Sequence, residues 1–537
     1  MPEPTTPPVP AVSRRALLRG ATAGGAVLAA GVLAPPAQAQ EGPDRHEAGD
    51  RRTPDLWRRP AAAGAPPVEG LHLTFGADPS REMLASWATV DQVARPRVRW
   101  GTPDDGFGRE VPAESRTYRD AQSGQQVTVH TARLSGLRPD ARYVYAAVHD
   151  GADPDAGFFR TAPRGRAPFV FTSFGDMASP GTVVRDKAAG RYVNDALGSP
   201  YSADLVDGIE RVGPLFNLLN GDLCYANLSA DRVRVWQSWF ANVSRSARYR
   251  PWMPTAGNHE NEKGNGPIGF AAYQTYFPLP APSGDPLTQG LWYAFTVGTV
   301  RFVFVNNDDV CYQDGGNTYV RGYSGGAQRQ WLERELAAAR ADRSLDWIVV
   351  CMHQVVVSTA DRFNGADRGI REEFVPLFDR YGVDLVVCGH EHHYERSHPV
   401  RGAQPNDTLS PVPRGDRRDV VDTGAGTVHM VLGGGGTSVP SNMLLTDPPR
   451  CRVITGVGPA DPATGKRPPV YVWEDAPWSA VRDKGHAYGF AAFTVDPGRG
   501  PGGTTSIGVT YYDVTGPGGR LAVQDAFTLQ KARRDRP

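Results

Sequence analysis

The stretch Asn220-Gly221-Asp222-Leu223-Cys224-Tyr225 follows the apolar run Leu215 to Leu219. A short apolar run closed by turn residues reads as a buried strand, and a carboxylate just past its end stands where α/β sheets place their chemistry. Gly-Asp at a strand end is also common turn punctuation. The reading gains weight because the pattern recurs: Gly175-Asp176 lies upstream, and Gly257-Asn258-His259-Glu260, His353 and Gly389-His390-Glu391-His392 lie downstream, each after an apolar run. Together these strand ends supply carboxylate, amide, imidazole and phenol oxygen.

Around them, from about residue 164 to the C-terminus, strands alternate with helices. Phe169 to Phe174, Leu215 to Leu219, Trp252 to Thr255, Trp347 to Met352 and Leu385 to Cys388 read as buried strands. Helical periods fall at Asp231 to Val243, Ala327 to Arg340 and Arg371 to Tyr381, and Leu291 to Val297 pairs with Val300 to Val305 through the Gly298-Thr299 turn. Further strands at 428–432, 490–495, 506–514 and 521–529 predict a second sheet packed on the first. The expected class is α/β, a layered α/β/β/α sandwich.

Residues 67–163 read instead as a small β-sandwich. Short β-rich runs at 71–75, 83–87, 98–100, 127–134 and 143–148, with Phe158-Phe159 opening a last strand, are separated by Gly, Pro and Asp turns. The stretch 137–143 resembles the tyrosine corner of fibronectin type III domains, with the Tyr143 hydroxyl turned back onto the backbone. No catalytic cluster falls here, so the domain either shapes the edge of a site, binds a partner or stabilises its neighbour.

At the N-terminus Ser13-Arg14-Arg15-Ala16-Leu17-Leu18 opens an apolar stretch to Leu33, and Ala37-Gln38-Ala39 offers a cleavage site. The paired arginines resemble a twin-arginine signal over 1–39, which implies export of a folded chain to the periplasm, the cell surface or the medium. Residues 40–66 read as a linker. The chain has 537 residues, 40% of them hydrophobic, enough for more than one domain. Lys+Arg and Asp+Glu each number 58, so no net field favours a nucleic-acid scaffold or an anionic membrane. The five cysteines include no Cys-x-x-Cys pair, which argues against a zinc finger or redox motif. Cys224, Cys351 and Cys388 read as small buried residues, and whether Cys311 and Cys451 pair is open.

Hard oxygen donors with imidazoles suit iron, zinc or manganese, and a carboxylate that bridges holds two ions about 3.5 to 4 Å apart. Asp222 is the expected bridge. The five ordered blocks resemble those of the purple acid phosphatases within the metallophosphoesterase superfamily, most closely at Gly389-His390-Glu391-His392-His393-Tyr394-Glu395-Arg396-Ser397. The resemblance implies that Asp176, Asp222, Tyr225 and His392 hold a first metal, and that Asp222, Asn258, His353 and His390 hold a second. His259 then faces the phosphate or leaving group, and Glu260 and Glu395 orient His259 or the ligands. His429 and His486 are expected to be hydrogen-bonded core residues.

Related metallophosphoesterases resemble an Asp-x-His first block, whereas here Ala178 stands two residues after Asp176 and Tyr225 fills the vacancy. A phenol of pKa about 10 ionises near neutrality only against a strongly Lewis-acidic partner, so Tyr225 implies Fe(3+) at the first position and Fe(2+), Zn(2+) or Mn(2+) at the second. The family's first block usually has Gly where this chain has Ala178. The segment Gln354-Val355-Val356-Val357-Ser358 lacks the additional histidines of some members' pockets, which leaves the leaving-group acid open. The implied activity is a phosphoric ester hydrolase, a secreted acid phosphatase on phosphate monoesters in which metal-bound hydroxide attacks phosphorus. Two alternatives stand beside it: a phosphodiesterase or nucleotide hydrolase on the same site, and a non-catalytic cell-surface binding protein on a phosphatase scaffold. Loops 261–268 and 359–369 are where substrate choice is expected to lie.

Overall fold

The computed structural model describes residues 64–535 except 181–184, 187–190, 193–196, 283, 314–317, 463–464 and 517. The signal and most of the linker expected before residue 64 lie outside the described residues.

Two seven-stranded sheets form the larger part. The first runs Trp252–Pro254, Phe216–Leu219, Phe169–Phe174, Gly489–Asp496, Thr504–Asp513, Ala522–Ala532, Val420–Asp422, with its first three strands mutually parallel. The second runs Tyr293–Val297, Val300–Phe304, Trp347–Cys351, Leu385–Cys388, Val428–Leu432, Tyr394–Ser397, Ser479–Arg482, with four central strands parallel. Alternation explains why these strands read as unbroken apolar runs. Trp347, Val349 and Cys351 face the first sheet, where Phe171 and Phe216 meet Phe302 edge-on at 5.0 and 5.2 Å. Ile348 and Val350 face the other way, onto Leu332 and Leu336 of helix Ala327–Ala341 and Phe378 of helix Val375–Tyr381. Both sheet faces are therefore buried, as parallel sheets require. Helices Tyr201–Val212 and Arg232–Ala247 pack beside the first sheet, which completes the α/β/β/α order.

The expected helix over 371–381 is two helices, Arg368–Glu373 and Val375–Tyr381. Pro376 has no N–H to donate back to the preceding turn and is tolerated only in a first turn, so the helix restarts there. Strands Arg109–Pro112 and Glu114–Arg119 were not expected; five of their ten residues are charged, and they form exposed edges. With six other strands they make two four-stranded sheets over 69–160. Arg138 donates its backbone N–H to the Tyr143 hydroxyl at 2.8 Å, the corner geometry read from the sequence. Strand Glu69–Phe75 packs on helix Arg232–Ala247, and Leu71, Leu73 and Phe75 share one core with Trp236, Phe240 and Trp252. The β-sandwich is thus cemented to the sheets. No helix among the described residues is long and apolar enough to cross a membrane.

Candidate metal centre

Parallel strands end at one edge, so the turns after them meet. Asp176 follows Phe169–Phe174, Asp222 follows Phe216–Leu219, Asn258 follows Trp252–Pro254, His353 follows Trp347–Cys351 and His390 follows Leu385–Cys388. The turns are tight. Asp176, Ala178, Asp222, Tyr225 and His390 have φ between 52° and 69°, half of the ten non-glycine residues with positive φ among those described. Left-handed backbone costs such residues of order 1–3 kcal/mol and persists only where the surroundings impose it. Two glycines make room. A Cβ on Gly221 (φ 80°) would stand 2.6 Å from His353 Nδ1, and one on Gly389 would run into Asp176 Oδ2.

The three imidazoles are oriented from behind. His353 Nδ1 lies 2.7 Å from the Asn220 carbonyl oxygen, His392 Nδ1 2.7 Å from that of Val439, and His390 Nε2 2.6 Å from Gln313 Oε1. Carbonyl oxygens only accept, so these nitrogens carry the protons and the opposite nitrogens point lone pairs inward. His353 Nε2 then faces Asp222 Oδ2 at 3.1 Å, Asn258 Oδ1 at 3.0 Å and His390 Nδ1 at 3.1 Å. His392 Nε2 faces Asp176 Oδ1 at 3.2 Å and the Tyr225 hydroxyl at 3.0 Å, and that hydroxyl is 3.1 Å from Asp176 Oδ1. Donor atoms of Asp222, His353 and His390, all buried, lie within 4.8 Å of one another.

Lone pairs converging at these distances repel unless positive charge stands among them. Burial works against charging His353, yet the Asp222 carboxylate and then Asp176 outweigh it and push its pKa up to about 10. The field of the site therefore selects a cation, and the mixed oxygen and imidazole donors fit one. Burial, then Asp176, hold the Tyr225 phenol well above its ordinary pKa, so only a strong Lewis acid would ionise it.

Residues 68–161 match the family described as the purple acid phosphatase N-terminal domain, and 197–394 match calcineurin-like phosphoesterase. The chain is 62% identical over 482 residues to an uncharacterized protein of Mycobacterium tuberculosis, covering 90% of each. It belongs to the purple acid phosphatase-like metallophosphoesterases. An Fe(3+)-Zn(2+) purple acid phosphatase of Arabidopsis thaliana is 25% identical over 402 residues, 73% of this chain and 76% of that one. A purple acid phosphatase structure from yellow lupin seeds superposes with a TM-score of 0.61 at 21% identity, covering 86% of this chain and 74% of that one. The chain is accordingly a phosphoric ester hydrolase with the dinuclear metal site typical of purple acid phosphatases.

Within this purple acid phosphatase-like site, His259 stands at the mouth with 22% of its side chain exposed. Its N–H donates to Asp222 Oδ1 at 2.8 Å, its Nδ1 lies 2.8 Å from Asn227 Oδ1, and its ring is 4.5 Å from that of Tyr225. Glu260 does not orient it. That carboxylate accepts the backbone N–H groups of Asp222, Leu223 and Gly257 at 2.8–2.9 Å and so clamps two strand-end turns together. Glu260 thus holds an expected ligand, Asp222, whereas Glu395 contacts none of them; it accepts from Thr359 N and Oγ1 and stands 3.3 Å from His393 Nε2. His429 is buried, whereas His486 is a half-exposed surface residue paired with Asp483 at 3.0 Å, because the strand run that would have buried it starts only at Gly489. All five thiols are buried and unpaired, Cys311 and Cys451 included.

The residues that sequence reasoning missed are mostly amides. Asn220 joins the sheets behind the site, accepting from Ser173 Oγ and donating to the Cys388 carbonyl at 3.2 Å. Gln313 Nε2 donates to Asn364 Oδ1 at 3.2 Å, and Asn364 Nδ2 returns to the His390 carbonyl at 2.7 Å, closing a ring around His390. Asn220 adjoins the Asp222 block and was within reach of the pattern; Gln313, 77 residues before His390, carries no signal in a single sequence.

Proposed function

We propose that the chain is an exported acid phosphatase that hydrolyses phosphate monoesters. Asp176, Asp222, Tyr225 and His392 would hold a ferric ion, and Asp222, Asn258, His353 and His390 a second ion, Fe(2+), Zn(2+) or Mn(2+). The observation that carries this reading is the inward convergence of lone pairs in two clusters, Asp222 with Asn258, His353 and His390, and Asp176 with Tyr225 and His392. Such a pair supplies positive charge that acidifies water and polarises a phosphoryl oxygen.

The chain's own groups do the rest. Asn227 takes the Nδ1–H of His259, which leaves Nε2 facing the site as the atom that gives a proton to the leaving oxygen. Burial lowers the His259 pKa while Asp222 raises it, so the proton-bearing form grows as pH falls, which favours action on the acid side. Glu260 and the left-handed turns hold the donors fixed, so little reorganisation accompanies the reaction.

The division that goes with this reading is a signal over 1–39, a linker over 40–66, a fibronectin III-like domain over 67–163 and the catalytic domain over 164–537. Lysines in place of Arg14 and Arg15 should keep the precursor in the cytoplasm; unchanged export would remove the twin-arginine route. For the activity, the purified chain should contain two ions, at least one of them iron, and turn over phenyl phosphate faster than diphenyl phosphate. Fully active protein holding zinc alone, or a preference for the diester, would overturn the ferric or the monoester assignment respectively.

A further inference from the structure

The loop 120–125, which joins strands Glu114–Arg119 and Gln126–Leu134 of the β-sandwich, reaches the layered part of the fold with polar groups. Asp120 is buried. Its Oδ1 accepts from Arg232 Nη1 at 3.2 Å and from Asn265 Nδ2 at 3.1 Å, while Oδ2 accepts the N–H and the hydroxyl of Ser123, both at 2.7 Å. Asn265 in turn accepts the Ala121 N–H at 2.9 Å. Arg232 Nη1 also donates to the Lys263 carbonyl at 3.0 Å, and Asn265 Nδ2 to Glu262 Oε2, whose Oε1 takes the Trp236 indole N–H at 2.8 Å. The fit is close, since a Cβ on Gly264 would stand 2.7 Å from that of Ala121. Segment 262–265 is therefore held by the β-sandwich.

The same loop holds a second segment. Gln122 Nε2 donates to the Ser229 carbonyl at 2.8 Å, and Gln125 Nε2 to Asp231 Oδ2 at 3.2 Å. Ser229 closes the turn Ala226–Leu228 by donating its N–H to the Ala226 carbonyl at 2.9 Å, and Asp231 caps helix Arg232–Ala247 through Arg234 N. His259 stands between the two segments. Its backbone belongs to the turn Asn258–Glu260, just before 262–265, and its Nδ1 is oriented by Asn227, in the turn that Ser229 closes. Strand Glu69–Phe75 already joins the two parts through apolar contacts with helix Arg232–Ala247. A buried ion pair adds little net stability to such a joint, but it does select one geometry.

We infer that loop 120–125 is a positioning element for His259, with Asp120 and Gln122 as positioning residues. Asp120 acts through Arg232 and Asn265, Gln122 through Ser229, and together they fix the two segments that carry His259 and its partner Asn227. The β-sandwich thereby sets where the imidazole stands. The inference rests on the reading of His259 as the group that gives a proton to the leaving oxygen.

The test uses the metal-loaded full chain and two esters: glycerol 2-phosphate, whose alkoxide needs a proton as it leaves, and 4-nitrophenyl phosphate, whose phenolate leaves without one. Asp120→Ala should keep both ions and lower kcat for glycerol 2-phosphate about ten-fold more than for 4-nitrophenyl phosphate. Gln122→Ala, at an exposed side chain, should show the same split at a smaller size, and it decides the matter if Asp120→Ala does not fold. Combined with His259→Ala, neither substitution should lower kcat further, because positioning has nothing left to act on. Equal losses on both esters, or an undiminished loss in the His259→Ala background, overturn the inference. If His259→Ala itself lowers both esters alike, the proton-donor reading fails, and hydrogen exchange decides the positioning. Amides of 226–229 and 258–265 should then exchange about ten-fold faster in the loop variants relative to the strands of the two large sheets, and unchanged exchange there overturns it.

Discussion

Tyr225 and Asp222 divide the work of the metal centre between identity and charge. Among the described residues the Tyr225 hydroxyl bonds Asp176 and His392, and burial keeps its phenol protonated unless a strong Lewis acid takes the proton's place. Asp222 carries the charge of the second half: Oδ2 faces His353, Oδ1 accepts the backbone N–H of His259, and burial is overcome by His353 so that the carboxyl is held ionised well below its usual range. Tyr225→Phe should abolish a visible phenolate-to-iron absorption band. Asp222→Asn keeps the volume but removes the compensating charge, so at least one ion and nearly all turnover should be lost. His259→Ala removes no expected ligand; it should keep both ions and the band while kcat falls roughly 10²- to 10⁴-fold. Metal content, absorption and kcat of the three variants check this. Loss of metal in His259→Ala, or a surviving band in Tyr225→Phe, would mean the division is drawn in the wrong place.

Among elements, the sequence was most legible where chemistry and periodicity coincide. The strand ends carrying Asp176, Asp222, Asn258, His353 and His390 stand out because an apolar run is followed by residues a turn alone does not demand. The loops between them do not. Helix Tyr201–Val212 and the 450–475 hairpin went unread, the hairpin because Arg450 and Arg452 sit on its exposed face and dilute the apolar run that marked the other strands. Support for His390 comes from two such loops. Gln313 is anchored by its N–H on Asp367 Oδ2 at 2.9 Å, and Asp367 also accepts from Tyr312 and Gly369. Removing the outer partner of a ligating imidazole typically costs 10- to 100-fold in metal affinity. Gln313→Ala should therefore weaken the second ion by about that factor in chelator competition, and Asn364→Ala, which frees Gln313 to turn, by less. Unchanged retention in Gln313→Ala would show that His390 is fixed by its backbone alone.

For the whole molecule, an enzyme acting at acid pH must keep its fold there, and buried histidines oppose that. Burial, then Arg371, lowers the His429 pKa to about 3, and burial, then His149, lowers that of His130 to about 4. Both are neutral when folded and charged below about pH 6.5 when unfolded, so their contribution is full above that pH and is lost as pH falls toward 4 and 3. Glu262 works the other way. Burial raises its pKa to about 7, so the folded chain binds its proton first and gains stability as pH falls from 7 to about 4.5. Two histidines against this one carboxyl leave a net loss between pH 6.5 and 4.5, and below 4.5 Glu262 no longer opposes them. Stability should thus fall from about pH 6.5 downward. His429 has a buried Nδ1 without a partner among the described residues, so leucine removes no hydrogen bond there. His429→Leu should recover about 2 kcal/mol of the loss between pH 4.5 and 3. Calorimetric Tm values at pH 7, 5, 4 and 3.5 decide the matter: the acid limb should be shallower in the variant, and parallel limbs would place the acid sensitivity elsewhere.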